Sequence, residues 1–167
     1  MCYTAGMSSA AALVVGVLAL LFLHRSSPAP VVHAAPGRGA TAITTAARGN
    51  TVTVDITSEG GIGSATITLG DPRPARLIIR LHLKGLEHFS LTQGDTTLGA
   101  AVGSGADHPV RRWIMRRGEA EEAPLAEGSP LWMPLTRGDD AFTLEAPTPL
   151  LHGDAAELAL HWVDFYR

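Results

Sequence analysis

From Asn50 onward, apolar and polar residues alternate with a period of two. Val52, Val54 and Ile56 interleave with Thr51, Thr53 and Asp55. After the break Ser58-Glu59-Gly60-Gly61, Ala65, Ile67 and Leu69 interleave with Ser64, Thr66 and Thr68. Successive side chains of an extended strand point to opposite faces, so this spacing predicts strands with one buried face. Two such arms around a Gly-Gly break read as a hairpin. The clearest run follows. Leu77, Ile79, Leu81 and Leu83 share one face, Ile78, Arg80, His82 and Lys84 the other, and Gly85 ends it. Further strands are predicted at 87–92, 96–102, 110–116, 131–136, 141–145 and 157–167, most of them separated by Gly, Asp and Ser clusters. Eight or nine short strands at this spacing, with no long helical period among them, predict an all-β fold. We expect an antiparallel β-sandwich, Ig-like or jelly-roll-like, over residues 50–167.

The last predicted strand is apolar on both faces. Leu158, Leu160, Trp162, Asp164 and Tyr166 lie on one side; Ala159, His161, Val163, Phe165 and Arg167 lie on the other. Such a strand is expected at the centre of a sheet, covered on both sides. Asp164 then shares a face with Trp162, where an unpaired carboxylate is costly. A buried ion pair with Arg80, or with Arg112, or backbone N–H donors near the strand's end, would satisfy it.

Upstream of Asn50 the alternation fades. Residues 24–49 are rich in Pro, Ala, Gly, Ser and Thr, and Pro28, Pro30 and Pro36 oppose helix. This composition predicts a flexible spacer, residues 35–49 in the final chain, with an ordered strand near Ala42–Thr45 as the other reading. Before it, Ala10–Leu23 is an unbroken apolar run of 14 residues. As a hydrophobic helix it would span about 21 Å at ~1.5 Å per residue, short of the ~30 Å hydrocarbon core. Residues 1–34 therefore read as a signal peptide, with Val32-His33-Ala34 supplying small residues before a cut at Ala35. The alternative is an uncleaved anchor over residues 5–23. Either route makes the domain exported, periplasmic or extracellular, or held on the membrane by this segment alone.

Composition sharpens this picture in two places. The chain has 167 residues, 46% of them hydrophobic, enough for one domain with a core and too many for a disordered chain. Its net charge is −3, and residues 1–54 carry Arg25, Arg38 and Arg48 with no acidic residue. A net negative domain without Lys/Arg clusters is not built to attract nucleic acid. Cys2 is the only cysteine and precedes the apolar run, so the exported part must rely on its core without disulfides.

Candidate chemistry is sparse. Gly61-Ile62-Gly63 opens like a dinucleotide loop, but Thr66 replaces the third glycine and a strand follows where a helix is required. Gly103-Ser104-Gly105 lacks the spacing of a nucleophile elbow. His82, His88, His108, His152 and His161 show no zinc-ligand spacing. Asp95, Asp107, Asp139, Asp140 and Asp154 fall in predicted turns without forming a calcium loop. No catalytic residue, cofactor or metal site is assigned. Of the three tryptophans, Trp132 is the candidate for ligand or partner contact, because Pro130 and Pro134 place it on an edge or irregular strand. His82 and His88 are the other contact candidates.

Three segments carry a resemblance: Gly61-Ile62-Gly63-Ser64-Ala65-Thr66-Ile67, Leu81-His82-Leu83-Lys84-Gly85-Leu86-Glu87-His88 and Trp162-Val163-Asp164-Phe165-Tyr166-Arg167. Together they resemble an uncharacterised family of small exported bacterial proteins. The resemblance implies an envelope location and brings no activity, cofactor or catalytic residue. The expectation is a non-enzymatic β-domain that binds an envelope protein or glycan. A carbohydrate-binding module using Trp132 and turn carboxylates is the alternative, and a metal-assisted hydrolase built on histidines and turn aspartates the third.

Overall fold

The structure is a computed structural model that describes residues 27–102, 110–116 and 123–164. The apolar run with its predicted helix, Asp107, His108 and Phe165–Arg167 lie outside the described residues.

Twelve strands and one helical turn make up the described fold. In chain order they are β1 (Val32–Pro36), β2 (Ala40–Arg48), β3 (Thr51–Ser58), β4 (Gly61–Leu69), β5 (Arg76–His82) and β6 (His88–Gln93). Then follow β7 (Thr96–Ala101), β8 (Arg111–Arg116), β9 (Ala123–Pro124), β10 (Leu135–Arg137), β11 (Phe142–Glu145), α1 (Thr148–Leu151) and β12 (Glu157–Asp164). They form two sheets, a β-sandwich. The seven-stranded sheet runs β1-β4-β12-β6-β7-β8-β9 and the five-stranded sheet β10-β11-β5-β3-β2. Every neighbouring pair is antiparallel except β3 with β5.

The period-two pattern is what closes the two sheets. Val52, Val54 and Ile56 of β3 and Leu77, Ile79 and Leu81 of β5 are buried. Facing them are Ala65, Ile67 and Leu69 of β4, Leu158, Leu160 and Trp162 of β12, and Phe89 and Leu91 of β6, all within one core cluster. Burying each such large aliphatic side chain is worth roughly 1.5–3 kcal/mol. Trp162 is fully buried, and its indole lies over Gly63, its partner across the β12–β4 ladder, where an added Cβ would overlap the ring. Its Nε1 donates to Ser58 Oγ at 3.1 Å.

Four expectations need correction. Residues 35–49 are not a spacer: they hold the end of β1 and all of β2, paired with β4 and β3. Ala34 and Ala35, on either side of the anticipated cut, sit opposite Ile67 and Thr66 within β1, and Val32 is buried. The arms 52–56 and 65–69 do not form a hairpin. Ser58–Gly61 instead carries the chain from one sheet to the other, so β3 pairs with β2 and β5 while β4 pairs with β1 and β12. The strand expected from Leu131 begins only at Leu135, because Pro130 and Pro134 cannot donate to a ladder. Finally, β12 is central, between β4 and β6, yet it is not covered on both sides: His161 on its outer face is exposed.

Candidate functional site

Arg80 and His82 stand on the outer face of β5, opposite the buried Leu77, Ile79 and Leu81. The parallel register sets Asp55 of β3 beside Arg80. His82 Nε2 lies 3.1 Å from Asp55 Oδ1, and the Arg80 guanidinium 3.7 Å from the same oxygen. One carboxylate oxygen of Asp55 thus serves both side chains. This is a surface cluster, with Arg80 about half exposed, and such pairs contribute little to stability.

Asp164 is buried, 3% exposed, at the inner end of β12. It does not meet Arg80, which points outward from the opposite sheet toward Asp55. Asp164 instead lines a groove of about 310 Å³ with Ser58, Glu59, Gly60, Gly61 and Lys84. A neighbouring groove of about 510 Å³ joins Ser58, His82, Leu83 and Lys84 to Asp139 and Asp140 of the β10–β11 turn. Among the described residues, no three His, Cys, Asp or Glu side chains gather closely enough to hold a metal ion.

Trp132 sits in the irregular stretch that precedes β10, half-buried, with its N–H bonded to Ser129 O at 2.8 Å. The Arg112 guanidinium lies over its ring, 4.1 Å from the centroid, and Arg112 Nε donates to Met133 O at 3.1 Å. Arg112 therefore clips this stretch onto β8 and occupies one face of the indole. Burial pushes its guanidinium below the ordinary value, while Glu127 acts the other way.

The fifth sequence candidate, His88, leads to a different tryptophan. On β6, Phe89 and Leu91 are buried, so His88 and Ser90 face outward from the seven-stranded sheet. The ladders then place outward residues in rows across five strands. One row is Ile62, Val163, His88, Ala101 and Arg111; the next is Ser64, His161, Ser90, Gly99 and Trp113. Trp113 is half-buried, and its ring lies 4.9 Å from that of His88, centroid to centroid. A Cβ on Gly99 would overlap the Trp113 indole, so the missing side chain is what lets the ring lie down on the sheet. Trp113 over Gly99 outside repeats the arrangement of Trp162 over Gly63 inside. Ile62 and Met115, 53% and 43% exposed, extend the apolar part of this face. Trp113, beside Ile114 and Met115, is not among the contact candidates that the sequence offers. The alternation itself held the answer: Ile114 packs on the core, and its neighbour must therefore point outward.

Comparison with known proteins yields no match: no family model, no curated protein and no solved structure aligns with the chain.

Proposed function

We propose that this chain is a non-enzymatic binding domain of the bacterial cell envelope, and that it recognises its ligand on the outer face of the seven-stranded sheet around Trp113. The observation that carries the reading is the indole laid over Gly99 beside His88, on a face that holds the small Ser64, Ser90 and Ala101 together with the exposed apolar Ile62 and Met115. A rigid aromatic on a broad, shallow surface suits an extended ligand better than a small molecule, which calls for a concave pocket. The apolar run at Ala10–Leu23 is what supports the envelope part of this reading.

The glycan alternative gains from the same observation and changes its residue. Trp132 has one ring face taken by Arg112, whereas Trp113 is laid out along the sheet. The test is co-sedimentation of the full-length chain with purified insoluble envelope polymer. Truncating a central aromatic anchor costs at least about 2 kcal/mol, roughly thirtyfold in affinity. Trp113→Ala is expected to reduce the bound fraction on that scale, and Trp132→Ala far less. Retention unchanged by Trp113→Ala would assign recognition to another surface.

A further inference from the structure

We propose that the Trp113 face binds an acidic glycan, a polysaccharide bearing uronate-type carboxylates. The inference rests on the preceding reading that this face is the recognition surface, and it adds the chemical class of the ligand.

The two register rows form a small, built arrangement. The Trp113 indole reaches from β8 across Gly99 of β7 toward His88 of β6, and Arg111 stands beside Trp113 on β8, opposite Ala101. Neighbouring strands lie about 4.8 Å apart, and alternate residues on one strand are about 6.8 Å apart along it. Trp113 and Arg111 are therefore neighbours along β8, and the indole laid across β7 presents its outward ring face within about one sugar ring's width of the Arg111 guanidinium. The indole face offers an apolar surface to the C–H face of a pyranose. Arg111 is exposed and carries a planar donor fork suited to a carboxylate.

Charge selects among sugars. The chain as a whole carries −3, counted with neutral histidines, yet these two rows hold the cation Arg111 and no Asp or Glu. A face of opposite sign to its own protein is complementary to an anionic polymer. Single-stranded nucleic acid also pairs negative charge with ring stacking. Its affinity, however, comes from several Lys and Arg tracking successive phosphates, and here one arginine stands beside one tryptophan. A carboxylated glycan needs just that pair.

The experiment uses the full-length chain in non-ionic detergent, with tryptophan emission and isothermal titration as readouts. The probes are polygalacturonate, the same polymer fully methyl-esterified, and an oligodeoxythymidylate. Polygalacturonate is expected to bind at least about tenfold more tightly than its ester, the worth of one charge-assisted hydrogen bond. Arg111→Gln should bring acid and ester within about twofold of each other, and Trp113→Ala should abolish binding of both. Circular dichroism of each variant verifies the fold. Equal binding of acid and ester, still dependent on Trp113, overturns the carboxylate assignment and leaves the face standing. Binding that ignores Trp113→Ala overturns the face as well. Tighter binding of the oligonucleotide, or no binding of polygalacturonate, also overturns the proposal.

Discussion

Two glycines lie beneath two tryptophans, one pair inside the sandwich and one outside, and the same substitution should have unequal effects. Gly63→Ala places a methyl into the fully buried Trp162 indole. The ring is held by the core and by its bond to Ser58 Oγ, so it has nowhere to go. Overpacking of this kind costs about 1–3 kcal/mol, and a displaced indole N–H forfeits about 1 kcal/mol more. Against this, Gly→Ala recovers about 0.4–1 kcal/mol by restricting the unfolded chain. The net expected loss is about 2–3 kcal/mol. Gly99→Ala pushes on Trp113, which lies on the open face and can swing away. It forfeits a cross-strand contact of about 0.5 kcal/mol and gains a similar amount back, so stability should hardly change. Thermal and urea unfolding followed by far-UV circular dichroism measures both. At about 2–5 °C per kcal/mol for a domain of this size, Gly63→Ala should lower the midpoint by roughly 10 °C and Gly99→Ala by no more than a degree or two. A Gly63→Ala protein that melts with the parent would refute the claim that Trp162 is locked between the sheets.

Two further outcomes follow from the edges of the fold. A chain starting at Ala35 lacks buried Val32 and three of the five β1–β4 ladder positions, so it should lose about 2–4 kcal/mol relative to one starting at residue 27; mass spectrometry of the protein purified from its native source should accordingly find an N-terminus upstream of Pro30. On the five-stranded sheet, Arg76 grips Glu145 with Nε and Nη2, each 2.8 Å from a carboxylate oxygen, and this hydrogen bonding holds the Glu145 carboxyl below its ordinary value. A depressed carboxylate stabilises the fold above its unfolded-state range, and that contribution disappears as pH falls through the depressed value. Glu145→Gln should therefore lower the urea midpoint slightly at pH 7, as befits an exposed pair, and match the parent at pH 2.

The sequence was most legible where burial differs sharply between the two faces of a strand. The run Leu77, Ile79, Leu81 and Leu83 against Ile78, Arg80, His82 and Lys84 locates β5 to within two residues at either end. In β2 the same period is present but carries no contrast, because Ala and Thr occupy both faces and most of the strand is exposed. Its order comes from pairing with β3, a backbone property that composition does not display. The candidate site was hidden for a related reason. His88 is exposed to view in the sequence, but Trp113 acquires its role from Gly99, fourteen residues away, through a ladder register that only the assembled sheet defines. Likewise, nothing in the chain announces that Asp55 will stand between Arg80 and His82, since that depends on the one parallel pairing, β3 with β5.

The position of β12 has a consequence for how the molecule is made. The last strand in chain order sits between β4 and β6, so both of those neighbours wait with a bare edge until it arrives. A chain made amino end first cannot seal this larger sheet until Glu157–Asp164 is available, so the sheet is closed by pairings between segments far apart in sequence. Until then β4 and β6 are open to any passing strand. Biogenesis in a crowded compartment should thus depend on a holding factor, or on speed, in the interval before the keystone is set.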